Sequence, residues 1–485
     1  MYKRDHLYIG GEWIAPSDHR TIPVRNPATE EVIGEAPAAV ESDVDRAVAA
    51  AHQAFEHGPW RFASMAERVE VVERMCQALE PRLDEILHLV TAEMGVPIRI
   101  SRVLHRDMAI GSVHNACAAA RALATEEYRA GRVEAMIRLE PVGVVASIAP
   151  WNGPFLQALY KVVYPLLAGC PVILKPAPET PLDAFYVAEA FEAAGLPPGL
   201  LSILPGGPAV GAHLVQHPDV DAVFFTGSTE TGRKIGAVCG HDMKRAVLEL
   251  GGKSAAIVLD DADLETALPA LSNGAFGNTG QNCAATSRVL VASSRYAEVI
   301  EGLADSATAL RVGDPLDEST DLGPLVSEAQ RDRVERMVRE AITDGALPAA
   351  PGGRPGLPRG WFLRPTVLAA VDNRSRIAQE EIFGPVVCVI PFADDAEAIS
   401  MANDSPYGLH GAVYSADDDR ALDVARAVHT GTISVNGFLL NSEQPFGGVK
   451  ASGIGRKYGP EGLREFMETK TVNFARNAAT FALQE

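Results

Sequence analysis

From residue 142 onward the chain alternates short apolar runs with stretches of helical periodicity, and this alternation restricts the fold more than any other feature. Residues 142–149, Pro171-Val172-Ile173-Leu174-Lys175, Leu201-Ser202-Ile203-Leu204 and Ala222-Val223-Phe224-Phe225 are each short, apolar and closed by a turn. Between them, residues 159–167 and 182–194 repeat apolar side chains at helical intervals. Short buried strands separated by helices of roughly 10–15 residues need crossover connections, so the pattern predicts parallel β-α-β units and a doubly wound α/β sheet. Asn152, in Pro150-Trp151-Asn152-Gly153, then falls on a strand-exit loop, where sheets of this kind place ligand groups.

A boundary follows Val247-Leu248-Glu249-Leu250-Gly251-Gly252, after which the pattern restarts. Residues 255–259, 288–291 and 386–390 read as strands, and 264–271 and 396–401 as helices, which predicts a second α/β domain carrying the reaction centre. Upstream, residues through Pro37 suit small strands and turns. Val44, Ala47, Val48, Ala51 and Phe55 mark a helix with Ser42 as its N-cap and Asp45 as early negative charge. Residues 65–94 are mostly helical up to Gly95-Val96-Pro97, residues 116–123 are helical, and Glu134–Pro141 turns β-like. A chain of 485 residues accommodates two to four domains.

Charge and cysteine usage narrow the partners. Lys plus Arg number 43 against 63 Asp plus Glu, a formal charge of -20, and no basic tail or stripe offsets it. That balance argues against nucleic acid while allowing a local basic pocket for a phosphorylated cofactor. Cys76, Cys117, Cys170, Cys239, Cys283 and Cys388 are widely spaced without a CxxC pair, unlike a disulfide scaffold or a zinc ribbon. Taken singly, each reads as a small buried hydrophobe. Neither a signal-like apolar run near Met1 nor an uninterrupted apolar stretch of about 20 residues is present, so the expectation is a soluble, cytoplasmic enzyme without a membrane partner.

Phe225-Thr226-Gly227-Ser228-Thr229-Glu230-Thr231-Gly232-Arg233-Lys234 joins a strand to a helix, so its backbone N–H groups could meet an anion. It matches neither G-x-G-x-x-G nor Walker A, and alone it reads equally as a tight turn. It has company in Pro150-Trp151-Asn152, Lys175-Pro176-Ala177-Pro178-Glu179, Glu249-Leu250-Gly251-Gly252-Lys253, Gly280-Gln281-Asn282-Cys283 and Glu381-Ile382-Phe383-Gly384-Pro385. Pro445-Phe446-Gly447-Gly448, Ser452-Gly453 and Thr469-Lys470-Thr471-Val472 follow. In this order and spacing the set closely resembles the aldehyde dehydrogenase superfamily, across almost the whole chain.

The resemblance implies an α/β fold with a Rossmann-like cofactor domain, an α/β catalytic domain and a small oligomerisation element. It also implies NAD(P)-dependent oxidation of an aldehyde to a carboxylic acid. Cys283 would attack the carbonyl as a thiolate, and the Asn152 amide with the Cys283 backbone N–H would hold the oxyanion. After hydride transfer, Glu249 would activate the water that hydrolyses the thioester. Lys175 would bind the adenosine ribose, Glu381 the nicotinamide ribose and Phe383 the nicotinamide. Gly227 and Ser228 would lie at the pyrophosphate, and Trp151 would pack the loop beside the cofactor. No metal ligand is implied. In isolation these residues have ordinary readings: a core thiol, a loop-ordering Asn, a capping or ion-paired Glu249, a solvated Lys, a surface Glu, a core Phe.

Two positions depart from the family pattern. Pro178 stands where many NAD-linked members carry a ribose-binding Glu, which weakens the case for NAD over NADP; NAD is expected first and NADP is allowed. Lys457 stands where many relatives carry a glutamate assigned to proton movement, and it is given no part in the catalytic step. His213 with His217 lacks a third ligand, and Asp260-Asp261-Ala262-Asp263 suits a helix start better than a metal.

Carried over in the same way, residues 1–121 and 139–250 form the cofactor domain and 251–436 the catalytic domain. Residues 122–138 and 470–485 serve oligomerisation, as a homodimer or homotetramer, and 437–469 return past the active site. The aldehyde would pass Leu156, Gln157, Tyr160, Asn282, Phe438 and Phe446, with Gly153 and Gly277 leaving room for an aromatic or branched substrate or permitting close loop packing. An acylating or reductive enzyme, or a non-catalytic protein on the same fold, are the competing readings.

Overall fold

The structure, a computed structural model, describes residues 2–350 and 352–475. Its first sheet is built on five parallel strands: β1 (Val145–Ile148), β2 (Val172–Lys175), β3 (Leu201–Ile203), β4 (Ala222–Thr226) and β5 (Arg245–Glu249). They lie in the order β3-β2-β1-β4-β5. Alternate side chains feed two cores, which is why these strands lack polar alternation. Phe224 packs with the helices Pro154–Ala168 and Ala184–Ala193, whereas Val223 and Phe225 pack with Pro208–Gln216, Thr229–Asp242 and Glu41–His57. The strand order reverses between β1 and β4, and a crevice opens at such a switch point. Trp151 and Asn152 follow β1, and Gly227 and Ser228 follow β4.

The second sheet is also parallel through β6 (Ala255–Val258), β7 (Arg288–Ala292), β8 (Thr366–Ala369), β9 (Val386–Phe392), β10 (Gly411–Tyr414) and β11 (Ser434–Val435), in the order β8-β9-β7-β6-β10-β11. Late in the chain, Gly453–Ile454 returns to pair antiparallel with β5, setting Gly453 opposite Glu249. A separate antiparallel sheet joins Glu126–Arg129, Glu134–Pro141 and Met467–Phe474. Of the expected oligomerisation segment 470–485, residues 476–485 lie outside the described residues.

Several local expectations are corrected. The first long helix is Glu41–His57 with Val40, not Ser42, at its N-cap position, because the Asp43 carboxylate accepts from the Val40 N–H at 3.0 Å and from the Ser17 hydroxyl at 2.6 Å. Residues 65–94 divide into Met65–Leu79 and Leu83–Met94 around a short turn containing Pro81, and Gly95 ends the second helix at φ 84°. The helix expected over 116–123 is Ala109–Ala122, entered through a π-helical turn at Arg102–Met108 that a 3.6-residue period does not register. Within that turn the buried His105 accepts from the Leu156 N–H at 3.4 Å, tying it to the first turn of the helix Pro154–Ala168 that follows Asn152. β5, β8, β10 and β11 are additional strands, β5 running into the segment after which the boundary was expected.

Candidate active site

Trp151, Asn152, Gly227, Ser228, Glu249, Cys283, Glu381 and Phe383 line one cleft of about 390 Å³. Lys175 does not line it; its buried side chain sits at the end of β2, with Nζ donating to the Pro176 carbonyl at 3.4 Å. Burial draws the Lys175 pKa down to about 8, opposed by Glu179.

The loop carrying Cys283 leaves the helix Leu264–Phe276 through Asn278, Thr279 and Gly280, all left-handed at φ 54°, 56° and 69°. Two non-glycine residues in that region cost about 1–3 kcal/mol each and persist only where their surroundings over-determine them. Here Asn278 Nδ2 donates to the Asn152 carbonyl at 2.9 Å, and Gln281 Oε1 accepts from the Val326 N–H at 2.9 Å. A Cβ on Gly280 would stand 2.0 Å from the Gly384 carbonyl oxygen, so the loop and the Glu381 segment meet backbone to backbone. Cys283 is half-buried, whereas the other five cysteines are buried. Burial pushes its thiol up to about 11; Lys457 and the Ala284 N–H oppose the rise, and Glu249 and Glu381 add to it. The Asn152 amide donates to the Gln281 carbonyl at 3.0 Å, which fixes the side chain beside the loop and leaves its second N–H available.

Glu249 ends β5 and is buried. Neither carboxylate oxygen has a hydrogen-bond donor among the described residues, yet Lys457 Nζ lies 3.3 Å from Oε2. Gly447 gives the other oxygen room, since a Cβ there would stand 2.9 Å from Oε1. Burial raises the Glu249 pKa, and Lys457, Lys161 and Arg456 pull it back. Sequence reasoning left Lys457 out because a lysine in place of a carboxylate carries no readable role; its position depends on the return strand pairing with β5.

Glu381 is held differently. The Gly252 N–H donates to its Oε1 at 3.1 Å, and a Cβ on Gly251 would lie 2.5 Å from Oε2. Burial raises its pKa to about 7, against the Gly252 N–H, Arg333 and Lys253. Gln330 and Arg333, on the helix Glu328–Thr343, were not singled out from sequence. Gln330 donates to the Phe383 carbonyl at 2.8 Å, and Arg333 to the Ile382 and Glu381 carbonyls at 2.6 and 2.7 Å. They read as polar positions of an amphipathic helix until the loop is seen resting on them. Phe383 itself is left-handed at φ 58° and meets Trp151 edge-on at 5.2 Å.

The cleft fits an extended phosphorylated dinucleotide. Ser228 caps Thr229–Asp242, its Oγ accepting from the Thr231 N–H at 3.2 Å, and the helix N-terminus opens at the cleft wall, suited to an anion. A Cβ on Gly227 would meet the Phe225 ring at 2.5 Å and one on Gly251 the Glu381 carboxylate at 2.5 Å, so a side chain at either position would force one of these groups to shift.

The aldehyde dehydrogenase family model matches residues 13–472. The chain belongs to the aldehyde dehydrogenase family. The dehydrogenase is 42% identical to geranial dehydrogenase of Castellaniella defragrans, over 96% of this chain and 98% of that protein. It is 43% identical to 3-succinoylsemialdehyde-pyridine dehydrogenase of a Pseudomonas species, over 96% and 98%. It is also similar to the crystal structure of Mycobacterium tuberculosis aldehyde dehydrogenase complexed with NAD+, at 43% identity and a TM-score of 0.96, covering 98% of both chains. It is therefore an NAD(P)-dependent enzyme that oxidises an aldehyde to a carboxylic acid through a cysteine.

The other sequence features of the dehydrogenase have structural partners. His213 Nε2 lies 2.6 Å from Asp45 Oδ1 and His217 Nε2 3.8 Å from it. Asp263 caps Leu264–Phe276, while Asp260 and Asp261 pair with Arg420. No group of three or more potential metal-binding acids, histidines or cysteines occurs among the described residues. None of the described helices is long and apolar enough to cross a membrane.

Proposed function

We propose that Cys283 is the nucleophile, Asn152 and the Cys283 N–H the oxyanion donors, and Glu249 the general base, with NAD as cofactor. The observation that carries this reading is the shared cleft: Cys283, Asn152 and Glu249 line it together with the β1 and β4 exits. The thiolate adds to the carbonyl carbon, and Asn152 stabilises the oxyanion of the thiohemiacetal. A dinucleotide held in the cleft would supply the hydride acceptor needed to take the thiohemiacetal to a thioester. Water, losing its proton to Glu249, then releases the carboxylic acid and Cys283. Glu249 in the cleft favours hydrolysis over transfer to CoA. Trp151, Gly227, Ser228, Glu381 and Phe383 would hold the dinucleotide in the cleft, and Lys175 its adenosine ribose from the neighbouring β2 exit.

The substrate class proposed is an aromatic or branched aldehyde. A Cβ on Gly153 would meet only Gln157 Cγ, at 3.6 Å, so this glycine leaves open space. Gly277 lends less support, since a Cβ there would be 3.1 Å from Asn273 Oδ1. The names of the geranial and pyridine-semialdehyde relatives point the same way. NAD- and NADP-coupled assays over acetaldehyde, medium-chain, branched and aromatic aldehydes, with product identification and with CoA added or omitted, test the reading. Free acid without CoA, preference for NAD and the bulkier aldehydes, and loss of turnover in Cys283→Ala are expected. Unchanged turnover in Cys283→Ala would remove the nucleophile, and preference for acetaldehyde the substrate class.

The division into 1–121 with 139–250 for cofactor, 251–436 for the nucleophile and 437–469 as return segment is proposed with this chemistry. The exposed strands Glu126–Arg129 and Met467–Phe474 support a homodimer or homotetramer, and sedimentation as a monomer would remove that assignment. Six unpaired cysteines support a reducing, cytoplasmic setting.

A further inference from the structure

Lys457 brings a buried side-chain nitrogen to Glu249, with Nζ 3.3 Å from Oε2. Its backbone is clamped by reciprocal hydrogen bonds with Phe446, N–H to carbonyl at 2.8 Å each way. Its side chain is buried, with Nζ 4.5 Å from the Phe446 ring centroid, 5.0 Å from Tyr160 and 5.3 Å from Tyr458. Ring faces attract a desolvated cation, but they do not neutralise it. Glu249 is the only carboxylate within 4 Å of Nζ among the described residues, and Glu249 in turn has no hydrogen-bond donor there. A buried charge without a partner is expensive, so each of these groups makes the other's ionised form tenable.

We propose that Lys457 is a positioning residue for deacylation, holding Glu249 as a carboxylate anion ready to take the proton of the hydrolytic water. The inference rests on the reading of Glu249 as general base. In this step the water oxygen bonds to the thioester carbon as its proton passes to Glu249. The C–S bond breaks, the acid departs, and Glu249 returns the proton to the Cys283 thiolate. Lys457 is already protonated and takes no proton; it supplies the counter-charge before and after the transfer.

The other groups facing the pair do not substitute for it. Lys161, on the helix Pro154–Ala168, donates to the Phe224 carbonyl at 3.2 Å and lies 3.7 Å from the Phe224 ring centroid. Burial, and the Lys457 charge, hold it well below the usual lysine range. Arg456 is committed to the Gly448 and Gly455 carbonyls at 3.0 and 2.8 Å. Cys283, Tyr160 and Tyr458 complete the titratable surroundings, and burial pushes their thiol and phenols upward. Burial works against the Lys457 charge, but Tyr160 and Glu249 beside it hold its pKa well above the usual lysine range. Of the two lysines beside Glu249, only Lys457 has a carboxylate within 4 Å among the described residues, whereas Lys161 is spent on the Phe224 carbonyl.

The test compares pH profiles of steady-state turnover and the pre-steady-state burst of reduced cofactor in wild type, Lys457→Met, Lys457→Arg and Glu249→Gln. An opposite charge at this range lowers a carboxyl pKa by roughly 1–3 units, so in Lys457→Met the acidic limb of turnover should move up by about that amount. At pH below the wild-type limb turnover should fall about 10- to 1,000-fold while the burst persists, and alkaline pH should restore it. Lys457→Arg should retain the wild-type limb. A wild-type limb in folded Lys457→Met, or a lost burst with an unmoved limb, would overturn the proposal. If Lys457→Met does not fold, Lys457→Gln carries the same expectation. Wild-type turnover in Glu249→Gln would instead defeat the base assignment. Arrested hydrolysis in Glu249→Gln with an unmoved limb in Lys457→Met would defeat the Lys457 proposal alone.

Discussion

Glu249, buried at the end of β5, and Glu381, half-buried against the Gly252 N–H just beyond it, are stabilised in opposite ways. Glu249 faces an ammonium and has no hydrogen-bond donor, whereas Glu381 accepts from the Gly252 N–H and has no cation within 4 Å among the described residues. A facing charge sets whether a carboxylate can hold or exchange a proton; a single backbone N–H orients it and leaves its remaining lone pairs for a ligand's hydroxyls. Environment thus distinguishes the proposed base from the proposed binding group although residue type does not.

The largest test of this contrast is Glu249→Gln. Steady-state turnover should fall about 10²–10⁴-fold with the burst of reduced cofactor retained, since general-base catalysis contributes on that scale. Gly252→Ala should damage both flanks, because its Cβ would stand 2.3 Å from the Cys283 carbonyl oxygen. A stability loss of about 1–3 kcal/mol, seen as a lowered Tm together with lost turnover, is expected from such overpacking. Glu381→Gln should raise the cofactor KM roughly 10-fold or more, as a charge-assisted hydrogen bond is replaced by a neutral one, with hydrolysis of a preformed acyl-enzyme unchanged.

The pH dependence has a definite sign on the Glu381 flank. Burial raises this carboxyl to about 7, so the anionic acceptor is present above that pH and lost below it. Cofactor KM in the wild type should rise as pH falls through 7, and Glu381→Gln should abolish that rise; an identical slope in both would erase the distinction between the flanks. Gly251→Ala should have the smallest effect, a cofactor KM increase of a few-fold, because its Cβ meets only the far end of the Glu381 side chain.

Much of the fold and the cleft was legible locally. Residues such as Val223, Phe224 and Phe225 face two cores in alternation, so a run without polar interruption already reported a sheet covered on both sides. Asn152 and Gly227 were legible as strand exits for the same reason. The start of the helix Glu41–His57 was not, because its capping carboxylate comes from Asp43, within the helix, and also binds Ser17. The π-turn at Arg102–Met108 broke the expected period, and Lys175, motif-bearing in sequence, lies beside the cleft instead of within it. Gln330 and Arg333 had no local signal, since a polar helix face looks alike whether it meets solvent or the carbonyls of a neighbouring loop.

The sequence by itself determined the alternation of buried strands and crossover helices, hence a parallel doubly wound sheet, and it marked Cys283, Asn152 and Glu249 by their motifs. The tertiary structure alone decided that Lys457 faces Glu249 and that a backbone N–H, not a cation, holds Glu381. The physical reason is range. Periodicity and turn chemistry act between near neighbours along the chain, while the charge state of a buried group is set by whichever distant segment packs against it.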